Sequence, residues 1–530
     1  MNGQELYLRP NVVLEPLVDR WYAWSHLISP ATAAMNITHR HLKIMQSFVD
    51  AVQVHVAAVA NPKMLGGPFI DHSSDRVPEI TELIATTKQN RAQMIDLAVA
   101  IEQLEDLLRA RADGHSLEPL YDCVPELLRG YVELVYDLND HPSFRFIEPL
   151  LYRSPYYDES SQSLMLSLIK QDERPFVLST PRLDNDTSVH LPIPFAAGAI
   201  DHLFAMKRTP RTFRWIKEQL CLPDVDDALF RSFLTEEPPH PYEQYTGDGV
   251  RWRYFGHACV LAETDGVCVL TDPVLSYTFQ SNIPRYGYED LPDVIDYVLI
   301  THNHQDHIMF ETILQLRHRI KCIVVPRSTG TMQDPSLKLL LERIGFSHVI
   351  HLDELETITA GDVSITGLPF LGEHADLDIR CKLAYLVRLG RHSLIFAADS
   401  CNLEPKLYEF VHQLVGDVDV LFLGMECDGA PLTWVYGPLI TRRVQRTMDQ
   451  SRRLSGSNYK RGIDIVRRFN CKQVYVYAMG QEPWLNYIMS KKYSEDSNPI
   501  IESNALLADC AAHGIVAERL FGEKEILLPK

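Results

Sequence analysis

This sequence predicts an α/β layered fold in its C-terminal half, preceded by a mostly helical α+β half. Three observations carry the prediction. The apolar period changes near residue 240, from helical spacing before it to short strand-like runs after it. Helical segments separate several of those runs, as in a layered α/β domain. A group of potential metal ligands, His302, His304, Asp306 and His307, directly follows the apolar run Tyr297-Val298-Leu299-Ile300, the kind of place where ligands collect on α/β sheets.

Taken in order, residues 77–111 place Leu97, Ile101, Leu104 and Leu108 on one helical face, ended by Asp113-Gly114. A second helix is expected from Thr32 to about Val59, and further helical stretches between 120 and 235. His39 and His41, two apart in a helix, do not share a face and read as exposed or capping residues. The charged, proline-rich stretch Thr235–Pro241 is the linker, which divides the chain into 1–240 and 247–530. Beyond it VRWRYFGHACVLAE, VCVLTDPVL, DYVLITHNH, KCIVVPRS, VSITGLPF, LAYLVRLG, SLIFAADS, DVLFLGME and QVYVYAMG read as strands. Residues 332–345 and 403–414 read as helices between them.

Composition bounds the function. The chain has 530 residues, 46% hydrophobic and 23% charged, enough for more than one core. A net charge of −19 argues against nucleic acid as a partner. The ten cysteines are scattered without a CxxC pair, which suits free thiols in a reducing cytoplasm. The segment MNGQELYLRPNVVLEP has no basic region followed by an apolar one, so no signal peptide is expected. No apolar run is long enough to span a bilayer, and no membrane partner is expected.

The chemistry lies in HNHQDH. His302 and His304, two apart on extended backbone, point to the same side, and Asp306 and His307 follow where the chain turns into a helix near Met309. One turn can therefore serve two adjacent metal ions. The pattern is the HxHxDH signature of the metallo-β-lactamase superfamily, and residues 247–490 resemble that superfamily, with Tyr254-Phe255-Gly256-His257-Ala258 and Thr271-Asp272-Pro273 as its opening strands. The resemblance implies an αββα sandwich and a bridging aspartate at Asp399, since a carboxylate can join two cations.

Two positions depart from the zinc hydrolases of that superfamily. In LPFLGEHADL, Glu373 precedes His374 where a histidine is usual, and VYVYAMGQEPWL offers no histidine. A carboxylate in place of an imidazole hardens the site and shifts preference from zinc towards iron or manganese. With the helical N-terminal half, including Ala31–Asn36, GEHADL and the overall length, the chain resembles the diiron β-hydroxylases that work with nonribosomal peptide synthetases. That resemblance implies two iron ions, dioxygen with an external reductant, and an aminoacyl group tethered to a carrier domain as substrate. It also implies a homodimer through the N-terminal domain. His302, His304 and Glu373 would hold one iron, Asp306 and His307 the other, with Asp399 bridging. Glu373 and Glu426 are the carboxylates it places at the chemistry, Glu426 either as a ligand or beside one; His374 competes with Glu373. The alternative is a dizinc or dimanganese hydrolase of an ester, lactone, thioester or phosphodiester.

Other residues invite a reading. His257 either orients a ligand, lines the pocket or is a satisfied core residue, and Asp272 supports a ligand or a turn. Trp434, Tyr436 and Trp484 line a pocket or pack the core. Arg442, Arg443, Arg446, Arg452, Arg453, Lys460 and Arg461 form either a solvated face or a docking patch for an acidic carrier, with Ser455–Asn458 as an adjacent mobile loop.

Overall fold

The computed structural model describes residues 3–530; Met1 and Asn2, the first residues of the segment read for a signal peptide, lie outside them. The C-terminal half is built on two seven-stranded sheets. In the first the strands run in the order Val349–Leu352, Ile320–Pro326, Ile295–Leu299, Val267–Thr271, Cys259–Thr264, Val250–Gly256 and Lys524–Leu528. In the second the order is Thr357–Ala360, Val363–Leu368, Ala384–Leu389, His392–Phe396, Val420–Gly424, Gln473–Tyr477 and Val516–Arg519. Each is antiparallel on one side and parallel on the other. Parallel pairing requires crossovers, supplied by helices such as Phe310–Leu316, Leu337–Arg343, Pro405–Val415 and Tyr459–Arg468.

Residues of both sheets share one buried cluster, in which Trp252 meets Phe422 edge-on at 5.0 Å. The αββα sandwich is the expected architecture. The strands the sequence did not disclose are Val349–Leu352, Thr357–Ala360, Val516–Arg519 and Lys524–Leu528, the four outer edges of the two sheets. An edge strand is covered on fewer sides, so it lacks the continuous apolar run that marks a central one.

The N-terminal half holds more sheet than its reading suggested. Val12–Val18 pairs with Gln162–Leu168, which pairs with Ser188–Leu191. Leu164, Leu166 and Leu168 alternate along that middle strand, a period of two within a stretch read as helical. Val132–Tyr136 and Pro142–Phe146 form a further hairpin. The helix expected over 77–111 is two, Val77–Asn90 and Ala92–Arg111, with Arg91 between them drawn to Asp19 and Asp158. The helix expected from Thr32 is Pro30–Asn36, a π-helical turn Ile37–His41, then Leu42–Asp50 and Val52–Val59. The His41 side chain is not exposed and makes no capping hydrogen bond: it is buried and stacked on Trp21 at 3.9 Å.

Residues 236–249 carry no helix or strand. Even so, the two halves share a core in which Trp24 and Phe204 belong to the same cluster as Phe255, Leu314 and Tyr436. A buried ionic group also spans them. Arg174 donates to Glu15 at 2.7 Å and to Glu311 at 2.9 Å, Arg182 donates to Glu15 at 2.9 Å, and Tyr22 and Tyr277 donate to Glu311 at 2.8 and 2.6 Å. No helix among the described residues is long and apolar enough to cross a membrane.

Candidate metal centre

The site forms where strands from both sheets end. After Ile295–Leu299 the chain stays extended through Thr301 and then turns, with the His307 and Ile308 N–H groups donating to the His304 carbonyl. Asp272 follows Val267–Thr271, Glu373 follows Val363–Leu368, and Asp399 follows His392–Phe396. Five non-glycine residues here take left-handed backbone: His257 (φ 51°), Asp272 (34°), Glu373 (64°), Ala398 (44°) and Ala478 (52°). Such conformations persist only where the surroundings impose them, and they collect at working sites.

Potential ligand atoms converge in three overlapping groups: His302, His304 and Glu373; His302, His307 and Asp399; and His257, Asp306 and His307. His304 Nδ1 lies 2.5 Å from Glu373 Oε1, and His302 Nε2 lies 3.7 Å from Glu373 Oε2 and 3.9 Å from Asp399 Oδ2. His307 Nε2 is 3.2 Å from Asp399 Oδ2. His302, His304, Asp306, His307, Glu373 and Asp399 thus each fall in at least one of these groups, which are joined through His302 and His307. His257, weighed as an orienting, pocket or core residue, joins the third, with Nε2 3.1 Å from Asp306 Oδ2. Its place after Gly256 between two strands was the available signal.

Glu373 and His374 part company here. Glu373 belongs to the first group; His374 belongs to none among the described residues, and its Nδ1 meets the Tyr436 hydroxyl at 3.1 Å. That hydroxyl also lies 3.2 Å from His304 Nε2, so Tyr436 supports the centre rather than merely packing the core. Asp272 supports it too: Oδ2 is 2.8 Å from His307 Nδ1 and accepts from the Thr301 hydroxyl at 2.6 Å, while Oδ1 accepts from the Thr301 N–H at 2.8 Å. An acceptor at Nδ1 leaves Nε2 free for a metal.

The electrostatics are those of a cation site. Burial, then the neighbouring imidazoles led by His307, push His302 well below the usual histidine range. Burial opposes charge on His307, yet Asp272, Asp306 and Asp399 outweigh it and raise its pKa. Burial raises Glu373 against the pull of His304. His302 Nε2, Glu373 Oε2 and Asp399 Oδ1 are buried with no hydrogen-bond partner, an expensive arrangement without a cation. Four imidazoles, those of His257, His302, His304 and His307, interleaved with carboxylates are a donor set that fits two iron ions.

A cavity of about 250 Å³ opens onto the centre, lined by His304, Asp306, Glu373, Asp399, Glu426 and Lys491 among others. The N-terminal half contributes Leu65 and Gly66 to its wall, which the sequence did not reveal. Glu426 is in none of the metal groups; its Oε2 accepts from the Gly429 N–H at 2.7 Å and pairs with Lys491 at 2.5 Å. Trp434 also lines the cavity and donates to the Gly66 carbonyl at 3.0 Å, whereas Trp484 is a core residue under Arg285.

The basic stretch divides. Arg452 donates to the Ala375 carbonyl, Arg453 to those of Asp428 and Gly429, and Arg461 to the Cys401 sulfur. Arg442, Arg443, Arg446 and Lys460 remain exposed. Ser455–Asn458 is tied down rather than loose: the Gly456 N–H donates to the Glu426 carbonyl, Ser457 Oγ to that of Ser400, and Asn458 caps the helix Tyr459–Arg468.

Sandwich and centre together define a metallo-β-lactamase-fold dimetal protein. Residues 7–238 match the diiron non-heme beta-hydroxylase N-terminal domain, and residues 251–435 match the beta-lactamase superfamily domain. The chain is 39% identical to the 4-amino-L-phenylalanyl-[CmlP-peptidyl-carrier-protein] 3-hydroxylase of Streptomyces venezuelae, over 97% of this chain and 98% of that one. Its fold matches the crystal structure of CmlA, a diiron beta-hydroxylase from Streptomyces venezuelae, with a TM-score of 0.93 and 38% identity over 99% of this chain and 100% of that one. A mutant of the CmlA beta-hydroxylase matches with a TM-score of 0.90, 38% identity and the same coverage. The chain belongs to the diiron non-heme β-hydroxylases. It is an oxygenase with two iron ions, and the hydrolase alternative is set aside, because the relatives that match along its whole length are hydroxylases.

Proposed function

We propose that this enzyme hydroxylates the β-carbon of an aminoacyl group held as a thioester on a nonribosomal peptide synthetase carrier domain, using dioxygen and an external reductant. The observation that carries the reading is Glu373 in the group with His302 and His304, where a zinc hydrolase would present a third imidazole. The substrate class is supported by the relative of 39% identity, whose name gives a peptidyl-carrier-bound aminoacyl group.

In this reading His302, His304 and Glu373 would hold one iron and Asp306 and His307 the other, with Asp399 shared; the grouping of these residues supports it. Bound there, the irons supply the dioxygen activation that no side chain can provide. The protein's own part is positional. Asp272 and Tyr436 fix the imidazoles, and the cavity orients the C–H bond to be oxidised. We propose further that residues 1–240 and 247–530 act as two domains, the first serving dimerisation, and that the exposed Arg442, Arg443 and Arg446 meet the acidic carrier.

The test combines metal analysis with turnover. The purified protein should carry two irons and, given dioxygen, reductant and an aminoacyl carrier, add one oxygen atom to the aminoacyl group. His304→Ala should lose iron and turnover together; normal hydroxylation by that variant would defeat the assignment. Sedimentation of the native chain as a monomer would remove the dimer.

A further inference from the structure

One wall of the cavity holds an anion with capacity to spare. Glu426 is 7% exposed and lines the cavity. Its Oε2 is occupied by the Gly429 N–H at 2.7 Å and Lys491 Nζ at 2.5 Å, but its Oε1 is buried with no hydrogen-bond partner. A carboxylate has lone pairs for about four donors, so Oε1 can take a further cation or N–H without releasing the other two. It is outside the metal groups found among the described residues, which leaves this spare acceptor open to a ligand. The same wall includes apolar Leu65, Val435 and Met489.

An aminoacyl thioester brings one fixed cation, its α-ammonium, on the carbon next to the one that is oxidised. We propose that Glu426 binds this α-ammonium through Oε1, so that the enzyme accepts aminoacyl groups with a free amine and rejects N-acylated ones. This rests on the reading of the chain as an aminoacyl-carrier hydroxylase. Glu426 is then a specificity residue. Lys491 holds the carboxylate in place and balances its charge until substrate arrives. An anchor on the amine, in the same cavity as Asp306, Glu373 and Asp399, limits which C–H bond can face the centre. It also places the reaction in a sequence: hydroxylation comes after the aminoacyl group is loaded on its carrier and before the reaction that acylates its amine.

The test compares iron-loaded wild type with Glu426→Gln and Glu426→Asp. The probe is a carrier domain bearing each of a panel of L-aminoacyl groups, and the same carriers N-acetylated. Wild type should bind its best aminoacyl carrier roughly tenfold or more tighter than the acetylated form, the value of one charge-assisted hydrogen bond. Glu426→Gln should keep both irons and lose most of that preference through weaker binding of the free amine alone. Glu426→Asp, which keeps the charge, should restore part of it. Loss of iron in Glu426→Gln would overturn the proposal by making Glu426 a ligand, and an undiminished preference would overturn it directly. Wild type that hydroxylates free and acetylated carriers equally would sink this inference alone. Wild type inert towards every carrier would sink the reading beneath it.

Discussion

At the scale of residues, the centre depends on side chains that never touch a metal. Asp272 accepts from Thr301 twice and faces His307 Nδ1 at 2.8 Å, fixing which imidazole nitrogen is free. Asp272→Asn should weaken iron binding by about 10- to 100-fold while the fold persists, since the ligand loses the acceptor that orients it. Iron titration of the stripped protein, followed by circular dichroism, checks it; unchanged affinity would show that His307 needs no such support. The ligand turn HNHQDH was legible because all its residues are adjacent in sequence. The choice between Glu373 and His374 was not, because neighbours with the same spacing differ only in direction. That direction is set by the left-handed backbone at Glu373, which no side-chain pattern announces.

At the scale of elements, the connection after Val52–Val59 matters most. Gly66 lines the cavity at the centre and two neighbouring cavities as well. Its φ is +74°, and a Cβ there would lie 3.1 Å from that of Ser490. Gly66→Ala should therefore raise KM several-fold with iron content unchanged, because about 1–3 kcal/mol of strain is relieved by shifting the wall. Kinetics alongside metal analysis check it; an unaltered KM would mean the substrate does not pass this wall. Among the basic residues, reversing Arg442 and Arg443 to glutamate should weaken carrier binding, and more so at low salt. An unchanged affinity would take that surface out of the docking site. The central strands were readable from apolar runs, as were the crossover helices Leu337–Arg343 and Pro405–Val415, whereas Tyr459–Arg468 and the half-covered edge strands were not.

At the scale of the whole molecule, the two halves are joined by a shared core and by buried charges. Burial alone would raise the pKa of Glu15, but Arg182 and Arg174 outweigh it and hold it at about 2, below its usual 4.5. A carboxylate depressed on folding stabilises the native state fully above its unfolded pKa. That contribution is lost as pH falls from about 4.5 towards 2. Glu15→Gln leaves two buried arginines short of a partner and should cost roughly 3–5 kcal/mol at neutral pH. The gap from wild type should narrow below pH 4.5, as thermal melts at several pH values would show. Both halves should melt in one transition, since Trp24 and Phe204 belong to the same core as Leu314 and Tyr436. The sequence led to the expectation of a linker at Thr235–Pro241, but it did not reveal this joint core. Apolar residues that pair across a domain boundary look like those that pair within one.

The left-handed residues around the centre bear on how such a protein can change under selection. Ala398 and Ala478 hold φ of 44° and 52°, where glycine carries no steric penalty and alanine carries about 1 kcal/mol. A library screened for heat tolerance alone should therefore enrich glycine at both positions. One screened for turnover should keep alanine, which narrows the backbone's freedom beside Asp399 and His257. The two pressures pull the same codons in opposite directions, so sequencing both libraries would show stability and turnover parting at these two positions.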